Sequence, residues 1–165
     1  MDIIRSVMSE STFWSILLFA HFLLSVGLLA AVTLQVVTVL MPARQAVGHF
    51  VERTPVPAAF FVNLIVILYV LEALFGAWIY VKYRTYVRIP MEEFRQFKMV
   101  GSFELKEHVL AMGLGLLPAY WYFWQKPQSM DYGAVRKWIT IFLALSVWYA
   151  FLVGHVANDF RGVGS

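Results

Sequence analysis

Cysteine is absent from this chain. That excludes disulfides, thiolate metal ligands, iron–sulfur clusters and covalent c-type haem attachment. Charge is scarce as well. Only 14% of the 165 residues are charged, against about 25% in an ordinary soluble domain, which leaves too little polar surface for water. No internal repeat stands out, and no HExxH spacing supports a metalloprotease. The formal net charge of +3 is small and spread over the polar connections; it informs topology, and no nucleic-acid partner is expected. No cleavable signal peptide is expected either, because Asp2 and Glu10 precede an apolar run too long for a signal core.

What the chain has instead is apolar length, with 61% hydrophobic residues. Runs from Phe13 to Leu40, Val56 to Val81, Phe103 to Trp124 and Trp138 to Val156 each hold roughly 19 to 28 residues, against the ~20 that cross a bilayer core as a helix. A soluble helix of that length would show a polar face. The expected fold is all-α: an integral membrane four-helix bundle with up-down-up-down order, forming a single transmembrane domain over 1–165. Its helices are placed at about 12–40, 57–82, 103–124 and 137–157. Ser9, Ser11 or Thr12 would cap the first. Pro90 followed by MEEFRQFKMV reads as a short amphipathic interfacial helix at about 90–100, between helices 2 and 3.

With four spans, both termini and the second loop share one side. That side carries Arg5, Lys82, Arg84, Arg88, Arg95, Lys98, Lys106 and Arg161, and the other Arg44, Arg53, Lys126, Arg136 and Lys137. The positive-inside rule places both termini in the cytoplasm, in a membrane expected to be the bacterial cytoplasmic (inner) one. Small residues every fourth position, such as Ser146, Ala150 and Gly154, mark faces where helix backbones approach closely.

Ionisable residues inside these spans are the informative feature, since they are costly in lipid and usually face a bundle interior. His21 lies roughly 13 Å and Glu72 roughly 15 Å inside the cytoplasmic boundary, with His108 and His155 at about 5 to 8 Å, counting 1.5 Å per residue. One comes from each helix, and all four fall in the same half of the membrane. Histidine is the commonest metal ligand, and histidines on facing helices hold b-type haem. His108 and His155 form the pair best matched in depth, with His21 available to a second site or a propionate and Met112 as a weaker axial candidate. Glu72 would orient a ligating imidazole or accept a proton. Lys106 would bind an anionic group such as a haem propionate, or join a proton relay. Three histidines, His21, His108 and His155, with a carboxylate are also a set for copper, zinc or nonhaem iron. His108 is expected to face inward, with Lys106 and Glu104 near the surface. His49 reads as a surface residue, Asn63 and Gln35 as hydrogen-bonding between helices, and Tyr120 to Trp124 as an interfacial aromatic belt.

Two stretches, LFAHFLLSVGLLAAVTLQVVTVLMPAR and FELKEHVLAMGLGLLPAYW, resemble compact four-helix membrane haem proteins of the copper-resistance D type and the membrane protoporphyrinogen oxidases. The resemblance implies a b-haem-binding bundle in which His21 is an axial-ligand candidate and Lys106 corresponds to the family's helix 3 lysine. The tryptophan–glycine run that follows the oxidases' first histidine is missing, so haem binding carries over rather than the oxidase reaction.

The expected function is a membrane-embedded b-type haem or metal binding protein in electron transfer or haem handling, with the lipid bilayer and either the other subunits of a membrane redox complex or further copies of itself as partners. Two other classes compete. One is a noncatalytic accessory subunit that docks to partner proteins. The other is a small proton-coupled transporter using Glu72. Topology is directly testable because the chain has no native thiol. Ser129→Cys should react with a membrane-impermeant maleimide in intact bacterial cells, and Ser6→Cys and Ser102→Cys only after lysis; the reverse pattern would invert the orientation.

Overall fold

The computed structural model describes residues 9–40, 58–125 and 132–162, without the side chains of 58–60 and 157–162. Among the described residues every regular element is helical. The elements are α1 (Glu10–Leu40), α2 (Ala58–Tyr83), a π-helical turn (Arg84–Arg88), α3 (Ile89–Glu93), α4 (Phe97–Trp124) and α5 (Gly133–Gly162). The loop with His49 and the turn with Asp131 lie outside the described residues.

Helix α1 begins where a cap allows it to. Ser9 Oγ accepts a hydrogen bond from the Thr12 amide at 3.2 Å, satisfying one of the helix's orphan donors. The second long helix does not stop at residue 82, as expected from its composition. It continues through the π-turn into α3 as one helical stretch. Pro90 explains the wide turn, because its ring cannot donate to the preceding turn and a π-turn relaxes the ladder just before it. The expected interfacial helix at 90–100 is therefore corrected. Residues 89–93 belong to the end of the preceding helix, and 97–100 to the start of α4.

The break between them is a left-handed helix cap. Arg95 N–H donates to the Glu92 carbonyl at 3.0 Å and Gln96 N–H to the Met91 carbonyl at 2.8 Å, the paired bonds of a Schellman motif. Arg95 itself takes φ 58°, a conformation that costs a non-glycine residue about 1–2 kcal/mol.

Three helical stretches are long and apolar enough to cross a membrane: Glu10–Leu40, Phe61–Glu93 and Gly133–Val156. The fourth long helix, α4, falls short of that measure, because its run carries Glu104, Lys106, Glu107 and His108 at one end and Tyr and Trp at the other. Tyr and Trp are amphipathic and count little towards hydropathy. The outer faces are apolar too: Phe19, Leu74, Leu145 and Trp138 are all more than half exposed.

The four long helices pack in a closed order, α1 on α2, α2 on α4, α4 on α5 and α5 on α1. Leu28, Val32, Val62, Ile65, Leu117, Tyr120, Leu143 and Val147 form their shared core. Among the described residues three indoles hydrogen-bond to side chains of other helices: Trp121 Nε1 to Asn63 Oδ1 at 3.0 Å, Trp148 Nε1 to Thr33 Oγ1 at 3.0 Å and Trp124 Nε1 to Thr140 Oγ1 at 3.1 Å. Asn63 thus behaves as expected, whereas Gln35 Nε2 is buried without a partner among the described residues. Tyr120 is a core residue rather than a member of an aromatic belt. Tyr69 crosses from α2 to donate to the Leu110 carbonyl of α4 at 3.1 Å, passing over Gly113, where any Cβ would collide with the Tyr69 hydroxyl. Gly113→Ala should lower unfolding stability in detergent by about 1–3 kcal/mol, as overpacking does. The same change in a Tyr69→Ala background should be nearly neutral, a coupling that a double-mutant cycle of thermal melts reads directly.

Candidate functional site: a histidine–glutamate pair in a cavity between four helices

His21 on α1 and Glu72 on α2 come together. His21 Nδ1 lies 3.2 Å from Glu72 Oε2, off the axis of a hydrogen bond, so both buried atoms lack an aligned partner. Ser25, one helical turn beyond His21, points its hydroxyl at Glu72 Oε1 and stands 3.0 Å from the His21 carbonyl. That hydroxyl has one proton and two oxygen neighbours. Its proton is shared between the Glu72 carboxylate across the helix pair and the His21 carbonyl on its own helix. Oε2 is the carboxylate atom nearest the His21 ring, and a proton carried on Nδ1 would leave Nε2 with a free lone pair.

This pair lines a cavity of about 680 Å³ whose walls come from all four long helices. Ser25, Lys106, Glu107 and His155 contribute its other polar groups, and Phe22, Tyr80, Tyr83, Phe103 and Phe151 its aromatic faces. Tyr83 and Phe103 stack at 3.8 Å. Lys106 is buried, its ammonium 2.8 Å from Glu107 Oε1 and 3.8 Å from the centroid of the Phe103 ring. A cation in contact with both a carboxylate and a ring face is stabilised against burial by each. His155 is exposed and parallel to Phe151, their centroids 6.3 Å apart, which puts it at the cavity's rim.

The structure therefore joins His21, Glu72, Lys106 and His155 around one space and leaves His108 out. His108 is exposed, its Nδ1 2.7 Å from the Glu104 carbonyl of its own helix. The expected orientation is corrected at both positions: Lys106 turns in and His108 turns out. Residues two apart on a helix point in nearly opposite directions, so only one of them can face the cavity. Glu104, as expected, stays half-exposed, held by Arg88 Nη1 at 2.8 Å. Met112 is exposed and is no ligand candidate. Among the described residues no group of three His, Asp or Glu side chains converges as a metal site, so the three-histidine set is not assembled.

Sequence reasoning passed over Ser25 and the Tyr83–Phe103 stack. Ser25 was signalled by its spacing of four from His21, which places both on one helix face. The stack had no local signal, since its two rings belong to different helices. No protein-family model, curated protein or solved structure matches the chain.

Removing the carboxylate would leave the His21 nitrogen buried alone. Glu72→Ala should cost about 1–3 kcal/mol of stability in detergent melts, while His108→Ala, on an exposed face, should stay within about 0.5 kcal/mol. Equal costs at the two positions would overturn the assignment of the pair as the buried site.

Proposed function

We propose that the chain is an integral membrane four-helix bundle, up-down-up-down with both termini in the cytoplasm. In the cavity among its helices it holds a b-type haem and serves electron transfer or haem handling. The observation that carries this reading is the His21–Glu72–Ser25 chain inside a cavity walled by four helices. A ligating histidine is commonly held by a carboxylate on its other ring nitrogen, which fixes the tautomer and raises its basicity. His21 has that partner 3.2 Å from Nδ1.

The remaining residues fit the same group. A cavity of about 680 Å³ falls within the ~300–1,000 Å³ typical of cofactor sites, which are mostly apolar with a few polar anchors. The Tyr83–Phe103 stack and Phe151 offer flat apolar walls, and the Lys106 ammonium is placed to receive a propionate carboxylate. His155, at the rim, is the second ligand candidate. A bound haem supplies one-electron exchange at its iron. The chain's own residues would bind the ring, orient His21 through Glu72 and exclude water.

The position of Glu72 favours a second reading, in which the protein moves protons or a proton-coupled solute and Glu72 is the loading site. It lies within a helical stretch long and apolar enough to cross a membrane, and an intramembrane carboxyl is a functional site by default.

Optical spectra of the protein purified in detergent separate the two. The haem reading expects a Soret band and, after dithionite reduction, a sharp alpha band. These should be abolished in His21→Ala, retained in His108→Ala, and accompanied in Glu72→Gln by about 10- to 100-fold weaker retention of the group. A colourless preparation that takes up no added hemin would overturn it. Proton-dependent uptake in proteoliposomes, lost in Glu72→Gln, would then support the second.

A further inference from the structure

The corner between α3 and α4 has a composition that neither the core nor the cavity explains. Its left-handed cap position is held by Arg95, where glycine would sit without steric cost. Beside it Phe94 is 77% exposed and Phe97 63%, and Arg84, Arg95 and Lys98 are exposed. Among the described residues none of these three cations has an ion-pair partner. Two of the carboxylates that would neutralise them are already taken, because Arg88 holds Glu92 at 2.7 Å and Glu104 at 2.8 Å. The corner directly continues Phe61–Glu93, a stretch long and apolar enough to cross a membrane.

We infer that this corner is a docking surface for anionic phospholipid headgroups. Exposed aromatic rings beside cations, at the end of an apolar span, are what the headgroup layer accommodates: rings enter the interface and cations meet phosphate. Strained backbone persists where the surrounding structure over-determines it. Here the left-handed position is filled by an exposed arginine. The inference rests on the membrane-spanning part of the proposed function and is independent of haem.

The test uses the full chain in detergent with added phosphatidylglycerol or phosphatidylcholine of matched acyl chains, retained lipid being counted by native mass spectrometry. The wild type should retain phosphatidylglycerol preferentially, each of the three cations contributing about fivefold, and added salt should erode the preference. Arg84→Gln/Arg95→Gly/Lys98→Gln should lose most of it. The single change Arg95→Gly should raise the melting temperature while lowering the preference, an outcome a purely structural arginine would not give. Equal retention of the two lipids by the wild type, or an undiminished preference in the triple variant, would overturn the inference. So would a stoichiometric polypeptide lost from the triple variant in place of lipid. A chain that dissolves without detergent would overturn the membrane reading instead.

Discussion

Because the long helices are apolar on nearly every side, burial of hydrophobic area cannot decide which helix meets which. The choice falls to a few directional contacts and to one place where two backbones come close. Tyr69 lies across Gly113 and donates to a carbonyl of the facing helix. Three tryptophan indoles fix hydroxyl or amide oxygens on neighbouring helices. Individually such bonds are worth on the order of 1 kcal/mol in a membrane-like setting. Their value is discrimination, since a misaligned pairing leaves a donor without its acceptor.

The same scarcity gives the cavity its chemistry. Polar groups are few, so each is held by more than one neighbour. Glu72 has His21 and Ser25, and Lys106 has Glu107 and the Phe103 ring. One half of the cavity holds the His21, Ser25 and Glu72 cluster, and the other a lysine–glutamate ion pair against an aromatic wall. This arrangement supports a bound group with an apolar body and an anionic edge more readily than a bare metal ion, for which the described residues assemble no ligand set.

Much of this was legible before any coordinates. The helical class and the apolar runs follow from hydrophobic length, and His21 and Glu72 stood out because ionisable residues in such runs are rare. What sequence could not resolve was direction. At the mouth of α4 the order Glu104, Leu105, Lys106, Glu107, His108 puts polar side chains on most faces, so no periodicity tells which one turns inward. The helix ends were hidden for another reason. A cap is recognised by its glycine and a boundary by its proline; here an arginine occupies the cap and the proline is absorbed by a π-turn.

That π-turn has a mechanical consequence. By joining α2 to α3 without a break, it makes one shaft that carries Glu72 in the membrane-length run, Tyr83 in the cavity wall and Arg88 near the corner. Arg88 is pinned to α4 through Glu104, and Tyr83 stacks on Phe103 of that same helix. With the Tyr69 and Asn63 hydrogen bonds further along, the shaft is tied to its neighbour over its length and can roll about its axis only by dragging α4. A push at the outer corner would arrive at the aromatic wall of the cavity as a rotation, with the π-turn as the softest joint between them.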